Sequence, residues 1–265
     1  MFDKISVGIK TILRDDKLFH VIDSLRLFYP GIHLIIADDG LENQEKFRLY
    51  TELTQHGDFV ERLPFDSGFG AKSNRIAQVL KRPYLLVASD DFDFSDFNTR
   101  VGVSKLAKIL DDFPNLHIAS GRVNNSEYEF DFEQRDQGST IIEHTAKNAP
   151  RTSARQVATL AAYVACDLTV NYSMIRKEVF QKVHWDEDVK IGGGEHGAFF
   201  VDVMRAGFQV GYVPGVNIDT LKSPDSEEYR KLRNRARGPQ RPCFDKRGIS
   251  KYVLGNGQVD YEKSD

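Results

Sequence analysis

The feature that most constrains the fold is a regular alternation of short apolar runs and amphipathic stretches over the first 95 residues. Four runs have the composition of strands, at residues 5–10, 33–37, 58–63 and 84–88. Between them, helical spacing of apolar residues predicts helices over 16–28, 42–56 and 71–80. Such a βαβ pattern with short connections predicts an α/β fold with a mostly parallel central sheet flanked by helices.

Polar residues cluster directly after three of these predicted strands. Ligands of parallel sheets bind beyond the carboxyl ends of the strands, so these residues are expected to converge on one rim. They are Thr11 and Arg14 after the first strand, Asp38 and Asp39 after the second, and Ser89, Asp90, Asp91 and Asp93 after the fourth.

The sharpest motif is the acidic segment Ser89-Asp90-Asp91-Phe92-Asp93-Phe94. Mg²⁺ and Mn²⁺ prefer carboxylate oxygens and often bridge to substrate phosphates. A metal–diphosphate complex would relieve the repulsion between adjacent carboxylates. The alternative is a solvated acidic turn, because Asp is common in turns.

A second motif, Gly192-Gly193-Gly194-Glu195-His196-Gly197, precedes an apolar run. Glycines allow close approach of the backbone to a ligand, and Glu195 at a helix start would act as a general base on a hydroxyl. The alternatives are a loop with an acid near a helix N-terminus and a packed His196. The motif also matches GxGxxG, with Asp219 downstream, but residues 186–191 are too charged for the buried strand of a dinucleotide site.

The second half of the chain is less regular. Helices are predicted over 101–111, 174–183 and 195–206, and strands over 116–123 and 208–213, the latter ended by Pro214-Gly215. Residues 124–140 read as a hairpin or excursion, and 157–166 are apolar. Residues 230–247 hold eight Lys or Arg against one acid, which predicts a mobile basic segment.

Composition excludes several classes of protein. A net charge of −3 gives no sign of nucleic-acid binding, and two cysteines cannot build a disulfide framework. No stretch reaches about 18 uninterrupted apolar residues and the start has no signal-peptide pattern, so we expect a cytoplasmic protein.

The motifs together resemble a glycosyltransferase of the GT-A fold, close to family 2-type inverting enzymes, over roughly residues 4–220. The pattern is nearest to the ganglioside-type N-acetylgalactosaminyltransferases. It is carried by the segments 10–18, Ile35-Ile36-Ala37-Asp38-Asp39, Asp90-Asp91-Phe92, Gly194-Glu195-His196 with Phe199-Phe200, and Val210-Gly211-Tyr212-Val213-Pro214.

The resemblance implies a GT-A (Rossmann-like) single domain over 1–221, with a nucleotide-binding half at 1–95, an acceptor-side half at 96–221 and a basic C-terminal extension at 222–265. It implies a UDP-linked sugar donor, a glycan or glycolipid acceptor, and Mn²⁺ or Mg²⁺ on the diphosphate. The matched positions give donor-binding roles to Thr11, Arg14, Asp38, Asp39, Lys72, Asn74 and Asp90, a metal-binding role to Asp91, and the role of general base to Glu195.

The chain departs from the family pattern at its metal ligands. Ser89 replaces the first acid of the triple-acid form, which leaves both Asp91 and Asp93 as candidate ligands. Several relatives carry a His after the late strand, where this chain has Asn217-Ile218-Asp219-Thr220, so Asp219 is a candidate substitute.

The basic extension has two functional interpretations besides a solvated tail. It would contact the donor diphosphate, with Arg233, Arg235 and Arg237 as first candidates, or it would contact anionic lipid, as a peripheral membrane surface, or a phosphorylated acceptor. Two other functions stay open: a non-catalytic nucleotide- or glycan-binding domain, and a dinucleotide-dependent oxidoreductase.

Overall fold

A computed structural model describes residues 2–146, 162–190, 193–234 and 241–263. The helices of this part are α1 (Asp15–Phe28), α2 (Gln44–Gln55), α3 (Phe69–Val79), α4 (Phe97–Asp112), α5 (Glu195–Arg205), α6 (Glu227–Asn234) and the short α7 (Pro242–Asp245). The strands are β1 (Ile5–Thr11), β2 (His33–Asp38), β3 (Phe59–Arg62), β4 (Tyr84–Ser89), β5 (Phe92–Asp93), β6 (Leu116–Val123), β7 (Phe130–Arg135), β8 (Thr140–Thr145), β9 (Val164–Cys166), β10 (Ser173–Arg176), β11 (Gln209–Thr220), β12 (Lys251–Val253) and β13 (Val259–Glu262).

The predicted α/β fold with a large central sheet is confirmed. Among the described residues the sheet has the order β3-β2-β1-β4-β10-β6-β11-β5, and β9 pairs with β11. The strands β3, β2, β1 and β4 are parallel neighbours, as predicted from the first 95 residues. The other side is mixed, because β10 runs antiparallel between β4 and β6 whereas β6 and β11 are parallel.

Helices cover both faces of this sheet. Buried residues of α1, α2 and α4 share one apolar cluster with alternate residues of β1, including Ile5, Val7 and Ile9. Residues of α3 and α5, such as Ile76 and Phe199, pack on the other face. The parallel strands are therefore covered on both sides, which matches their nearly continuous apolar sequence.

A second, four-stranded sheet joins the C-terminal residues to the middle of the chain. Its order is β13-β12-β8-β7, with β12 parallel to β8. Phe244 stacks on Tyr252 and packs against α5 in an apolar cluster. The expected mobile segment is therefore wrong for residues 241–247, because apolar side chains between the basic ones anchor them.

Two predictions for the second half of the chain are wrong. The predicted helix over 174–183 is β10 followed by a short 3₁₀ turn at Lys177–Gln181, because pairing with β4 and β6 outweighs the local helical pattern. The predicted end of the late strand at Pro214-Gly215 is an irregularity within β11, which continues to Thr220 after a shift in register.

In the described part of the chain, no helix combines the length and apolarity needed to cross a membrane.

Candidate functional site

A cavity of about 510 Å³ lies where the carboxyl ends of β1 and β4 meet the N-terminus of α5. This volume lies within the range of small-molecule sites, about 300–1,000 Å³. Three groups of described residues line it. The strand-end set is Lys10, Thr11, Ile12, Asp39, Asp66, Gly68, Phe69, Lys72, Ser89 and Asp90; the Glu195 set is Tyr128, Val170, Asn171, Lys190, Glu195 and His196; the α6 set is Tyr229, Leu232 and Arg233.

Asp39 and Lys72 form a buried ion pair in the strand-end set. The Lys72 Nζ lies 2.5 Å from Asp39 Oδ1 and donates a second hydrogen bond to the Thr11 carbonyl at 3.2 Å. The other Asp39 oxygen accepts from the Gly68 N–H at 2.9 Å. Gly68 has a φ of +100°, which allows the turn that begins α3 and brings its first residues to the cavity. These contacts fix Asp39 and Lys72 before any ligand binds.

The acid pair Asp90 and Asp91 follows β4 and is held by one arginine. Arg14 Nη1 donates to Asp90 Oδ1 at 2.8 Å and to Asp91 Oδ2 at 3.0 Å. Burial alone would lower the pKa of Arg14, but the two carboxylates outweigh it and raise that pKa. Burial raises the pKa of Asp90, while Arg14 acts in the opposite direction. Asp90 lines the cavity, and Asp91 lies beside it as the second acceptor of Arg14.

Arg14 also connects the acid pair to the C-terminal part of the chain. Its Nε and Nη2 donate to the two oxygens of Asp225 at 3.0 and 3.2 Å. Its guanidinium lies over the Tyr229 ring, 4.1 Å from the ring centroid. Asp225 also accepts from Lys17 at 2.7 Å. This network sets α6 against the acid pair, where Arg233 lines the cavity as the predicted basic contact. The other two candidates, Arg235 and Arg237, lie outside the described residues.

Two predicted donor-binding residues have their polar groups engaged elsewhere. The fully buried Asp38 accepts from Tyr50 Oη at 2.7 Å and from Arg62, and lies 3.1 Å from Lys46 Nζ. Those three partners line a separate groove of about 910 Å³ along α2. Asn74 donates to the Trp185 carbonyl at 2.9 Å and accepts from the Trp185 N–H at 2.9 Å. Neither is among the described residues lining the cavity; their contacts organise the adjoining backbone. The same holds for Arg14, a further predicted donor-binding residue, which is absent from the described lining because its nitrogens donate to carboxylates.

The two other candidate metal ligands also lie apart from the cavity lining. Asp93 Oδ1 accepts from the backbone N–H of Ser95 at 2.9 Å and from its hydroxyl at 2.5 Å. Asp219, exposed on β11, is the register partner of Asp93. Within the described ranges, no three His, Cys, Asp or Glu side chains are grouped to hold a metal ion. With Arg14 between Asp90 and Asp91, these side chains do not fit a divalent cation as arranged.

Glu195 is the first residue of α5 and lines the cavity. Its Oε2 accepts from the Gly193 N–H at 2.8 Å. Gly194 has a φ of +85°, and a Cβ there would lie 2.9 Å from Phe244, so only glycine fits without displacement. A Cβ at Gly193 would lie 2.4 Å from Val189. Close packing against neighbouring side chains therefore explains why these two positions are glycine. Neither glycine is among the described residues that line the cavity, and Gly192 lies outside the described part.

His196 and Tyr128 border Glu195 in the cavity. Burial lowers the pKa of His196, and its Nε2 donates to the Thr169 carbonyl at 2.6 Å, which fixes the proton on that nitrogen. The rings of Tyr128 and His196 are 5.9 Å apart. The packed interpretation of His196 is consistent with this contact, although the ring also lines the cavity.

Sequence reasoning did not assign a role to several cavity residues. The position of Lys10, directly before Thr11 at the end of β1, could have marked it as a candidate site residue. No local sequence pattern marks the other residues, because they come from separate segments of the chain. These residues are Tyr128, Asn171, Lys190 and Tyr229. The dinucleotide hypothesis loses its structural context, since the described residues 182–190 before the glycine loop contain no strand.

Comparison with known proteins was made by sequence and by structure. No family model matches the chain. It is 31% identical over 222 residues to mouse beta-1,4 N-acetylgalactosaminyltransferase 2, covering 81% of this chain and 39% of that protein. It is 28% identical over 245 residues to rat beta-1,4 N-acetylgalactosaminyltransferase 1, covering 86% and 43%. The chain thus spans about two fifths of the length of these curated relatives.

Solved structures share the fold at lower identity. GalNAc-T7, crystallised with UDP, GalNAc and Mn²⁺, has a TM-score of 0.60 at 13% identity, over 84% of this chain and 44% of that one. S. aureus TarS 1–349 has a TM-score of 0.54 at 12% identity, over 86% and 63%. By its fold the chain is similar to these GT-A-fold glycosyltransferases, and by its sequence it is similar to the beta-1,4 N-acetylgalactosaminyltransferases.

Proposed function

We propose that this chain transfers a sugar from a UDP-linked donor to a hydroxyl group of a glycan or glycolipid, with inversion at the anomeric carbon. The observation that supports it is one cavity lined by Asp39 and Asp90 at strand ends and by Glu195 at the start of α5. The names of the relatives make UDP-N-acetylgalactosamine the first donor to test.

In this proposal Glu195 is the general base. Its carboxylate takes the proton of the acceptor hydroxyl as the oxygen attacks the anomeric carbon. The bond from that carbon to the donor phosphate oxygen breaks, and its electron pair leaves with UDP. The Gly193 N–H holds one carboxylate oxygen of Glu195 at 2.8 Å, which orients the base without removing its charge.

The strand-end set would bind the donor. Thr11 and Asp39 are the proposed nucleoside contacts, and the ion pair of Asp39 with Lys72 keeps them in one arrangement. A preformed site loses less side-chain entropy when the ligand binds. Asp38 and Asn74 would contribute to donor binding only indirectly, by holding the backbone of Gly40 and Trp185 in place.

The predicted Mn²⁺ or Mg²⁺ enters no step of this proposal. Mn²⁺ occurs with UDP in the GalNAc-T7 structure, which supports testing it here. The carboxylates of Asp90 and Asp91, however, already accept hydrogen bonds from Arg14.

The decisive experiment compares the wild type with Glu195→Gln in a transfer assay that detects released UDP and glycosylated acceptor. We expect the turnover to fall by about 10²–10⁴-fold, because a general base contributes roughly that factor. The dissociation constant of UDP, measured by calorimetry, should stay within about twofold, since the variant keeps the shape of the side chain.

Glu178→Gln serves as the matched control, because Glu178 is exposed outside the cavity. An unchanged turnover in Glu195→Gln would remove Glu195 as the base. UDP binding without turnover by the wild type, across a panel of UDP-sugars and acceptors, would instead favour the non-catalytic binding domain.

A further inference from the structure

We infer that Lys10 holds the diphosphate of the bound nucleotide and that Arg14 already occupies the place between the two carboxylates of the acid pair, so that nucleotide binding needs no divalent cation. This inference rests on the proposed function, because it takes the ligand to be a nucleoside diphosphate. It concerns the source of positive charge in the cavity.

Arg14 occupies the place between the two carboxylates where a metal ion would bind. Arg14 is 6% exposed, and four hydrogen bonds from its guanidinium reach Asp90, Asp91 and both oxygens of Asp225. A guanidinium cannot lose its proton in a protein, so it brings a permanent charge to the acid pair. A dication bound between these carboxylates would have to displace a buried arginine, which would leave Asp225 and the arginine itself less well paired.

The two other candidate metal ligands, Asp93 and Asp219, lie apart from the described cavity lining. Asp93 is turned to Ser95, and the Asp219 carboxylate accepts from Asn217 Nδ2 at 3.1 Å. Neither supplies a ligand to the described cavity lining. A metal in this place would therefore have only Asp90 and Asp91 as carboxylate ligands and would take its other oxygens from water and phosphate, so what opposes a metal here is the occupation of that place by Arg14.

Three lysines line the described cavity, and they differ in whether a carboxylate balances their charge. Lys72 is paired with Asp39. Lys190 donates to the Asp66 carbonyl, which leaves its charge, too, without a carboxylate partner among the described residues. Lys10 forms no ion pair with a carboxylate among the described residues; its Nζ has the Ala88 carbonyl at 3.4 Å and the Phe69 ring centroid at 4.9 Å. Within the described cavity lining, the charge of Lys10 is therefore available to a ligand.

The environment of Lys10 favours an anion. Burial, together with the nearby charge of Lys72, lowers the pKa of Lys10 to about 8, while the Asp90 carboxylate acts in the opposite direction. A bound phosphate would offset the cost of burying this ammonium group. In the sheet, Lys10 is the register partner of Ser89, the residue before the acid pair, so its strand position lies at the rim where the diphosphate is proposed to bind.

The test measures UDP binding by calorimetry with the full chain, in EDTA and in Mn²⁺. We expect the dissociation constants of the wild type to agree within about twofold, and Lys10→Met to weaken binding by about tenfold or more in both buffers. Lys10→Arg should recover most of the loss, since it keeps the charge. Lys108→Met is the matched control, because Lys108 is an exposed lysine of α4 paired with Asp112.

A second measurement titrates Mn²⁺ alone and keeps the inference testable if Lys10→Met does not fold. The wild type should show no saturable site attributable to the acid pair, meaning none that Asp91→Asn removes. Binding of UDP only in Mn²⁺, a Mn²⁺ site lost in Asp91→Asn, or unchanged UDP binding in a folded Lys10→Met would each overturn the inference while leaving sugar transfer intact. No UDP binding in either buffer would overturn both proposals.

Discussion

The two sides of the cavity are built in different ways. The strand-end set comes from the ends of β1, β2 and β4, which are neighbours in the sheet, and from the segment that begins α3, all within the first 90 residues. The Glu195 set comes from separated segments, and its glycine loop packs against Phe244 of the C-terminal sheet. Changes on the first side should therefore alter donor binding, whereas changes on the second should alter turnover at constant affinity for UDP.

The largest effect is expected for Asp39→Ala. It leaves the buried Lys72 without its carboxylate, and breaking such a pair costs about 3–5 kcal/mol. The free energy of unfolding, measured in urea, should fall by about that amount, and UDP binding should weaken. The double variant Asp39→Ala/Lys72→Met should be less unstable than Asp39→Ala alone; equal or greater instability would contradict the buried-pair explanation.

Gly194→Ala tests the other side of the cavity. A left-handed backbone costs about 1–2 kcal/mol for alanine, and the contact with Phe244 adds about 1–3 kcal/mol. Turnover should fall while the dissociation constant of UDP stays constant.

Gly207→Ala is its control, because Gly207 has a φ of +79° but no atom lies within 4 Å of the position that a Cβ would take there. It should show the backbone cost alone in urea unfolding. Equal losses of stability and activity in the two variants would show that Phe244 does not support the glycine loop.

Asp225→Asn should have a smaller effect, about 1 kcal/mol at pH 7, because Asp225 is 25% exposed. Burial would raise the pKa of Asp225, but hydrogen bonds from Arg14 and Lys17 outweigh it and lower that pKa. Its stabilisation is therefore present above the unfolded pKa of about 3.9 and is lost as the pH falls through the lower folded pKa.

The two unfolding free energies should thus converge in acid. A difference between wild type and Asp225→Asn that grows below pH 4 would contradict this sign. Because α6 supplies Tyr229 and Arg233 to the cavity, UDP affinity should fall by a few fold at most.

The smallest effect is expected for Asp219→Asn. Its side chain is exposed and is not among the described cavity residues, so UDP binding and turnover should change by less than about twofold. A tenfold loss in Asp219→Asn that Mn²⁺ relieves would restore Asp219 as a metal ligand.

Sequence alone predicts the strand-end half well, because its strands and helices carry their own periodicity and its polar residues follow strand ends. Thr11, Asp39 and Asp90, which follow three predicted strands, line one cavity together with Lys72 and Glu195. The neighbouring Asp38 has the same residue type and location, yet its side chain is directed to Tyr50 and Lys46. Local pattern does not separate two adjacent carboxylates at a strand end.

The other half depends on pairings between distant residues. The four residues of β10 form a central strand only because β4 and β6 flank them, and their own sequence fits a helix equally well. Tyr128 likewise reaches the cavity through a segment without regular structure, so no periodicity marks it.

The contact of residues 241–263 with the glycine loop (Gly193 and Gly194) bears on the order in which the protein folds during synthesis. Cys243 donates through its thiol to the Gly193 carbonyl at 2.9 Å, and β12 joins β8 across more than a hundred residues. The nucleotide-side strands precede all of these residues in the chain, so they can form while the ribosome is still translating. Glu195, the proposed base, therefore acquires this support only after residues 241–263 have been translated, later than strands β1 to β4 can form.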